Sequence, residues 1–400
     1  MNEQIRFVLI GCGQLGSQLV DKFAPFSETV ITACCDKNAE QAESFASHHA
    51  IPRTYTGYRR MLAEEHPNGI LNATPDAVHD DVIAAALEFS CPILTPPPFS
   101  NGYYEANQAR GKLHNAHVPC LVNFDRREQR GVEAARILLS QNDENPFLRM
   151  HMSYRQGWIQ EVDGHAPHLM WRRNSSMSPL GALGELGIPL ADMLHYVTGK
   201  RITQVSGAAL FQAPQCEQIC SPDGAQATLI CQDGTPINFI ISRLDTGRKD
   251  SFRMDVYTEK FALEMNLFAD SKAVQVAAHD SMSLPVGLYD PETGEALRRL
   301  RGGEVRRITA TAPIPITSQF LALTRPGGHY RGNPNVQDAV EAHRLIDAIL
   351  ESAQENGATT VLESKNPGAG IVRPSLSPAS SPSPPPQQKK STVPKIHQNR

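Results

Sequence analysis

The sequence FVLIGCGQLGSQL, residues 7–19, constrains the fold more than any other part of the chain. A short apolar run ends at Gly11, further glycines stand at 13 and 16, and a stretch with helical spacing follows. In such strand–turn–helix units the first glycine permits a tight turn and the second lets the backbone approach a pyrophosphate. The third lets helix and strand pack closely, with the helix N-terminus facing the anion. The motif, with Gly11, Gly13 and Gly16, therefore predicts a dinucleotide-binding βαβ unit.

The alternation of strand and helix patterns continues to about residue 124. Apolar runs rich in β-branched residues recur, and between them apolar side chains repeat with helical spacing. Strands separated by helices of this length form βαβ units and a parallel sheet. We therefore predict an α/β fold that begins with a doubly wound Rossmann sheet over residues 1–125. The predicted strands cover residues 7–10, 29–35, 69–74, 92–95 and 120–124, and the predicted helices cover 15–23, 39–48, 58–65, 79–88 and 103–115.

A different pattern begins after this first part. In TPINFIISRLD, Ile237, Phe239 and Ile241 alternate onto one face, and several such strands follow one another without long helices between them. We predict that residues 126–363 form an α+β domain with a large open, mainly antiparallel sheet and a last helix near 336–355. Residues 364–400 are rich in serine and proline and are predicted to be a disordered tail.

Composition excludes several classes of protein. The formal net charge is −4, which gives no strong attraction to nucleic acid or to an anionic membrane. No apolar run reaches transmembrane length, and the first residues do not read as a signal peptide. The eight cysteines are scattered without a CxxC pair, which favours reduced thiols in a cytoplasmic protein. No cluster of histidine and cysteine has metal-ligand spacing, so we predict no metal site.

The cofactor is predicted from an acidic residue that follows the second strand. Asp36 lies about 20 residues after the glycine motif, where a carboxylate accepts the ribose hydroxyls of NAD and repels a 2′-phosphate. Lys37 can soften that preference, so NAD is predicted and NADP stays open. NATPDAVH, at the end of the third predicted strand, extends the same pocket, although a helix-start residue without chemistry is the alternative for His79. Beside the three glycines and Asp36, the residues predicted to contact the cofactor are Gln14, Leu15, Lys37, Thr74, Pro75, His79, Pro96 and Pro97.

A run of three prolines stands at the end of the fourth predicted strand, in ILTPPPFS. Proline fixes φ and lacks an N–H, so a strand rarely continues through such a run. The carboxyl ends of parallel strands are where doubly wound proteins bind their ligands. The run therefore predicts a rigid wall beside the site, and its apolar character suits a ligand less polar than a free sugar.

Taken together, the motifs resemble the Gfo/Idh/MocA family of NAD(P)-dependent oxidoreductases over most of residues 5–362. The resemblance rests on GCGQLG, CDKNAEQAESFA, NATPDAVH, FDRREQRGVEAARILL, the segment WRRNSSMSPLGALGELGIPLADMLHYVTGK and the closing DAVEAHRLIDAILESAQENGATTV. It implies a Rossmann domain followed by a domain with a large open sheet that is commonly paired between subunits. It also implies small-molecule substrates such as sugars and cyclitols, and hence a homo-oligomer formed through the C-terminal sheet.

The chain departs from the family pattern at both usual proton carriers. The family usually has Glu-Lys-Pro where this chain has three prolines, and Pro97 stands at the lysine position. The family acid that precedes a histidine by four residues matches Glu185, and the histidine position is Pro189. Asp192 matches a further family aspartate. Because proline cannot transfer a proton, either another residue acts as acid or base or the usual reaction does not run.

Several side chains are candidates for this missing role. Glu185 is a base if burial raises its pKa, or else a carboxylate that orients a substrate hydroxyl. The other catalytic candidates are Tyr154, His165 and His168, which lie on a strand and in a loop of the second domain. For two of the predicted substrate residues, Asp125 and Arg126, salt bridges within a loop are the alternative. The predicted substrate residues are Asp125, Arg126, Arg155, Trp171, Arg172 and Asp192.

Two functions remain open from the sequence. The first is an NAD(P)-dependent oxidoreductase that transfers a hydride to or from a sugar-like or other small alcohol or carbonyl substrate, with a non-standard acid or base. The second is a catalytically silent NAD(P)-binding sensor, regulator or partner subunit, which the two proline substitutions favour.

Overall fold

The computed structural model describes most of the chain up to residue 362. The predicted tail at 364–400 and the loop that carries His165 and His168 lie outside the described residues. The described residues are 4–140, 147–161, 171–211, 221–259, 261–267, 274–278, 286–287, 289–290, 295–299, 305–309, 313–325 and 335–362.

The first sheet has six parallel strands in the order β3-β2-β1-β4-β5-β6. Because the strand order reverses between β1 and β4, the carboxyl ends of these two strands open a crevice at the topological switch point. The predicted Rossmann sheet is therefore confirmed. Its strands are β1 Ile5–Ile10, β2 Thr29–Cys35, β3 Arg53–Tyr55, β4 Gly69–Asn72, β5 Ile93–Thr95 and β6 Cys120–Val122.

Five helices connect these strands. They place their apolar residues on the sheet, and the sheet is buried between them, as the continuous apolar runs of β1 and β4 require. Asn38 caps the second helix by accepting hydrogen bonds from the backbone N–H groups of Glu40 and Gln41. The helices are α1 Gln14–Phe23, α2 Ala39–His49, α3 Tyr58–Glu65, α4 His79–Glu88 and α5 Tyr103–Asn115.

The second sheet has nine strands and is mixed, mostly antiparallel, as the sequence predicted. The order is β14-β13-β12-β11-β7-β10-β9-β8-β18, and β7 and β10 are a parallel pair. Three short strands, β15, β16 and β17, form a separate sheet. The strands are β7 Phe147–Arg155, β8 Ile202–Phe211, β9 Gly224–Cys231, β10 Pro236–Ser242, β11 Ser251–Thr258, β12 Phe261–Asn266, β13 Val274–Ala278, β14 Val286–Gly287, β15 Tyr289–Asp290, β16 Glu295–Arg299, β17 Val305–Thr309 and β18 Thr360–Val361.

Helices of the second half cover one face of this nine-stranded sheet. On β7 the side chains of Met150, Met152 and Tyr154 point into the buried layer, and their neighbours point to the open face. A π-helical turn, Leu183–Gly187, leads directly into the third helix of this half, which ends at Gly199 in the left-handed region with φ 63°. The described helices of the second half, including one that packs on the first sheet, are α6 Arg130–Ser140, α7 Trp158–Glu161, α8 Ile188–Thr198, α9 Ile316–Thr324 and α10 Val336–Gln354.

The chain returns from the second sheet to the first through α9. Phe320 on this helix is fully buried, and its ring centroid lies 5.6 Å from that of Phe7 on β1 and 6.3 Å from that of Phe23 on α1. Asn335 then precedes α10 and bonds β6 through its side chain, which accepts from the N–H of Val122 at 2.9 Å and donates to its carbonyl at 2.7 Å. Both contacts attach the last helices to the Rossmann sheet.

Candidate active site

The glycine turn has the geometry that each of its glycines was predicted to provide. Gly11 has φ 102°, and a Cβ there would lie 2.4 Å from the carbonyl oxygen of Ala73. A Cβ at Gly16 would lie 2.5 Å from the carbonyl oxygen of Gly11 and 3.3 Å from Cδ2 of Leu9. At Gly13 a Cβ would meet no atom within 4 Å. Gly11 and Gly16 are therefore needed for close packing, whereas Gly13 faces open space in which a pyrophosphate fits.

Asp36 is fixed at the carboxyl end of β2, beside this turn. Its two carboxylate oxygens accept hydrogen bonds from the backbone N–H groups of Cys12 and Asn38, each at 3.0 Å. Each oxygen retains a further lone pair that can accept a ribose hydroxyl. Lys37 is exposed beside it, Gln14 is exposed and Leu15 is half-buried. The turn and the acid thus fit the adenosine side of a dinucleotide.

Hydrogen bonds between side chains join the ends of β4 and β5. Asn72 donates to Oγ1 of Thr95 at 2.9 Å, and its Oδ1 accepts from the N–H and the hydroxyl of Thr74 at 3.1 and 2.8 Å. Thr74 is half-buried and is followed by Pro75, which begins a short 3-10 turn. These contacts hold the loop after β4 rigidly at the crevice.

His79 lies behind this loop, and its position corrects the prediction that it contacts the cofactor. The side chain is fully buried. Its Nδ1 lies 2.6 Å from the carbonyl oxygen of Pro98, and its Nε2 lies 3.0 Å from that of Thr74. Because carbonyl oxygens only accept hydrogen bonds, each of these two contacts is a hydrogen bond when the ring nitrogen concerned carries the hydrogen. His79 therefore positions both loops and has no exposed edge for a ligand.

The proline run follows β5 and packs against the π-helical turn Leu183–Gly187. Pro96 and Pro98 are buried, Pro97 is half-buried, and the Pro97–Pro98 peptide bond is cis. A Cβ on Gly184 would lie 3.3 Å from Cγ of Pro98, so the run packs against the turn that carries Glu185. Glu185, the residue after Gly184, is thus brought close to the proline run.

Glu185 is the carboxylate at the centre of the candidate site. Its Oε1 accepts from Nε of Arg172 at 3.1 Å, and its Oε2 accepts from Nη2 of Arg243. Burial raises the pKa of Glu185, but the charges and hydrogen bonds of Arg243 and Arg172 outweigh burial and lower it. The expectation of a base with a raised pKa is therefore wrong, since this group is an anion at neutral pH.

Arg243 is a site residue that the sequence analysis missed. Its side chain is fully buried, and it donates to the carbonyl oxygen of Arg172 at 3.0 Å as well as to Glu185. Its guanidinium carbon lies 5.7 Å from the ring centroid of Trp158. The alternation of β10 could have predicted its burial, because residue 243 lies two positions after the buried Ile241 and so continues the same face of the strand.

Tyr154 and Arg126 meet beside Glu185. Tyr154 is nearly fully buried, its hydroxyl accepts from Nη2 of Arg126, and the guanidinium lies 4.8 Å from its ring centroid. Burial raises the pKa of Tyr154, against a smaller lowering by the charge of Arg126, and Asp250 raises it further. The phenol is therefore protonated at neutral pH, which suits a proton donor and not a base.

Three other predicted substrate residues, Asp125, Asp192 and Arg155, make salt bridges, and that of Arg155 is with Asp245 at 3.6 Å. Asp125 pairs with Lys22 of α1 at 3.0 Å, which is the loop salt bridge that the sequence left as the alternative. The Asp192 carboxylate is 2% exposed and is bound by Arg127. Arg155 points to the open face of the nine-stranded sheet, opposite to Tyr154, and lines a cavity of about 470 Å³ there. The prediction that Asp192 and Arg155 contact the substrate is thus corrected.

Trp171 and Arg172 lie together in the site. The Arg172 guanidinium stacks over the Trp171 ring with its carbon 4.6 Å from the centroid.

Within the described part of the chain, no three metal-binding side chains come together. None of the helices in that part is long and apolar enough to cross a membrane.

Two family descriptions match the chain. The description of an oxidoreductase family with an NAD-binding Rossmann fold matches residues 5–124, and that of the GFO/IDH/MocA C-terminal domain matches residues 133–264. A glycine turn at a topological switch point, facing a second domain with a large open sheet, defines the class of Rossmann-fold oxidoreductases. Within that class, the chain belongs to the Gfo/Idh/MocA family.

Known relatives are similar at low identity. The uncharacterized oxidoreductase YrbE of Bacillus subtilis (strain 168) is 25% identical over 285 residues, which are 70% of this chain and 79% of the relative. The scyllo-inositol 2-dehydrogenase (NAD(+)) of the same strain is 23% identical over 270 residues, 67% of this chain and 74% of the relative. Levoglucosan dehydrogenase of Pseudarthrobacter phenanthrenivorans is 23% identical over 165 residues, 41% of this chain and 42% of the relative.

Solved structures share the fold. Levoglucosan dehydrogenase in complex with NADH and levoglucosan has a TM-score of 0.73 at 19% identity, over 90% of this chain and 99% of that one. An inositol dehydrogenase homolog from Azotobacter vinelandii, complexed with NAD+, has a TM-score of 0.73 at 18% identity, over 90% of this chain and 98% of that one. The likeness extends across both sheets.

Proposed function

We propose that this chain binds NAD and transfers a hydride between it and a small alcohol or carbonyl substrate of the sugar or cyclitol type. The observation that carries the proposal is the glycine turn, whose open position at Gly13 and fixed acid at Asp36 fit a dinucleotide. The curated relatives support the substrate class, because their names are those of sugar and inositol dehydrogenases. Oxidation of an alcohol in this site yields the carbonyl compound, reduced cofactor and one proton.

The residues that hold the cofactor follow from the geometry of the crevice. The turn from Gly11 to Gly16 would receive the pyrophosphate, and Asp36 the adenosine ribose. Thr74, Pro75, Pro96 and Pro97 stay predicted contacts of the cofactor. The cofactor supplies or accepts the hydride when bound, and the protein orients it and excludes water.

The proton requires a different carrier from the family lysine and histidine. Pro97 and Pro189 cannot carry one, and Pro189 is buried in the first turn of α8, where proline fits a helix. We assign Tyr154 the role of proton donor in the direction of carbonyl reduction, with Arg126 holding its hydroxyl. Glu185 orients a substrate hydroxyl. His165 and His168 stay predictions for the same proton transfer.

The second candidate function is a silent NAD-binding sensor, regulator or partner subunit. A specific observation favours it: Glu185 is held by two arginines and its pKa is lowered, so it is a weak base. Loss of general acid–base help costs about 10²–10⁴ in rate. Under this reading the cofactor binds and stays unreacted.

The test of the proposed function is a titration followed by a turnover assay. We expect the protein to bind NADH, and the NAD+-loaded protein to form NADH with at least one sugar, cyclitol or hydroxy acid in a stereochemically broad panel. Tyr154→Phe is expected to slow that reaction by about 10²-fold with NADH affinity unchanged. Binding of NADH without turnover of any compound supports the silent binder, and absence of NADH binding removes both functions.

Asp36 is expected to set the preference for NAD over NADP. In Asp36→Ser the charge that repels a 2′-phosphate is gone, so we expect NADH to bind about tenfold more weakly and NADPH more tightly than in the wild type. Asp36→Asn removes the same charge but keeps a side-chain oxygen that accepts one loop N–H, so it should show the same shift toward NADPH if the charge, and not the loop contact, sets the preference. Titration of both variants with both cofactors measures the effect, and an unchanged NADH/NADPH ratio in Asp36→Ser contradicts the assignment.

The quaternary arrangement and location are further parts of the proposal. The open face of the nine-stranded sheet, with polar side chains such as His151, Asn238 and Arg253, suits pairing with a second copy of the chain. The six cysteines recorded as free in the described part are buried thiols, in keeping with a cytoplasmic location. The division between residues 125 and 126 stays a prediction.

A further inference from the structure

We propose that the substrate of this site carries a carboxylate or phosphate group, and that Arg172 binds it. The inference deepens the proposed function and rests on it, since it concerns the substrate end of the same crevice. It narrows the substrate class from neutral sugars and cyclitols to sugar acids, sugar phosphates or similar anionic alcohols.

The first argument is the local balance of charge. Two guanidinium groups, those of Arg172 and Arg243, share the single carboxylate of Glu185. The Arg243 side chain is fully buried, and its Nε has no hydrogen-bond partner among the described residues. A buried charge with incomplete compensation is costly. One further negative charge at this place would balance the pair.

The other neighbouring acids of the described part form no ion pair with either guanidinium. Asp223 is fully buried and pairs with Arg173 at 3.2 Å. Asp76 is buried, its carboxylate accepts from the hydroxyl of Ser178 at 2.5 Å, and burial raises its pKa. Asp250 lies beside Tyr154, and burial raises its pKa as well. In the described part of the chain, Glu185 is the acid that contacts Arg172 or Arg243.

The second argument is the access to Arg172. Its side chain is 25% exposed, and it is held in place by stacking on Trp171 and by the Nε bond to Glu185. Its two Nη groups make no hydrogen bond to a described residue, whereas guanidinium groups bind carboxylate and phosphate through two parallel N–H donors. Arg126, with 24% exposure, lies on the Tyr154 side of the same carboxylate. An anionic group therefore finds a preorganised donor beside the reacting hydroxyl.

The tryptophans make the test direct. The chain has two tryptophans, and an arginine lies over each: Arg172 over Trp171 and Arg243 over Trp158. Intrinsic fluorescence therefore reports on this site. We would titrate the NAD+-saturated full chain with D-glucuronate, D-glucose 6-phosphate and D-glucose at constant ionic strength. Glucuronate and glucose 6-phosphate test carboxylate and phosphate separately on one sugar ring.

We expect at least one of the two anions to bind saturably and at least about tenfold more tightly than glucose. Arg172→Gln should weaken that binding about tenfold or more. Arg172→Lys keeps the charge but loses the two parallel N–H donors, so its anion affinity should lie between those of the wild type and Arg172→Gln. Arg59→Gln is the control, because Arg59 pairs with Glu88 on an exposed surface. Melting temperature and NADH affinity are measured for each variant.

Three outcomes overturn the inference. They are glucose binding as tightly as both anions, absence of saturable binding by either anion, and equal anion binding by Arg172→Gln and the wild type. In each case intact NADH binding leaves the proposed function standing. Loss of NADH binding by the wild type instead removes the proposed function, whatever the anions do.

Discussion

We expect the Gly13→Val variant to lose about 100-fold or more in NADH affinity while it keeps the melting temperature of the wild type. The reason is the position of this residue. A Cβ at Gly13 would meet no protein atom within 4 Å, so a valine fits the folded protein. The same open space is where the pyrophosphate approaches the backbone, so a valine side chain excludes it. The measurement is a fluorescence titration with NADH beside a thermal melt.

Gly16→Ala is the matched control for this prediction. A Cβ at Gly16 would lie 2.5 Å from the carbonyl oxygen of Gly11, so even one methyl group forces helix and strand apart. We expect a loss of about 1–3 kcal/mol in the free energy of unfolding. If Gly13→Val binds NADH normally, the turn is not the cofactor site.

The second large effect is expected for Glu185→Gln, as a loss of stability. The substitution leaves the fully buried Arg243 without its carboxylate, and removal of one partner of a buried ion pair costs about 3–5 kcal/mol. The glutamine oxygen can still accept one hydrogen bond, so we place the loss at about 3 kcal/mol, toward the lower end of that range. Denaturant unfolding at neutral pH measures it. Glu88→Gln, which affects an exposed pair with Arg59, should change stability by less than about 1 kcal/mol.

The pH dependence of this difference follows from the lowered pKa of Glu185. A carboxyl group with a lower pKa in the folded state stabilises the fold above its unfolded pKa, and loses that contribution as the pH falls through the folded pKa. The stability difference between the wild type and Glu185→Gln should therefore shrink as the pH falls below 4.5, the ordinary pKa of a glutamate carboxyl group. A stability difference that is the same at neutral and acidic pH would falsify the ionised, arginine-bound state of Glu185.

The sequence predicted the architecture well because the first half of the chain repeats a local pattern. Each βαβ unit has its own apolar periodicity and turn residues, so the parallel sheet and the glycine turn could be inferred locally. The strand Arg53–Tyr55 was not predicted, because it is a three-residue edge strand and its first two residues are exposed. A short exposed edge strand lacks an apolar pattern.

The candidate site was harder to predict because its charges are paired by tertiary contacts. Asp192 was predicted to contact the substrate, but Arg127, 65 residues earlier, binds its carboxylate. Glu185 could be located by alignment, whereas the sign of its pKa shift depends on Arg243, 58 residues later. Asn335 stands at the N-cap position of α10, but its side chain bonds Val122 of β6 and not the first turn of the helix. Pairings at such separations leave no local signal.

The packing of Phe320 against Phe7 and Phe23 bears on how the molecule unfolds. The nucleotide-binding sheet has one of its apolar faces covered by a helix that comes nearly two hundred residues after its last strand. The described residues accordingly belong to one compact unit. We therefore expect cofactor binding to the first sheet to raise the free energy of any opening that separates this helix from the sheet, and so to slow proteolysis that requires that opening.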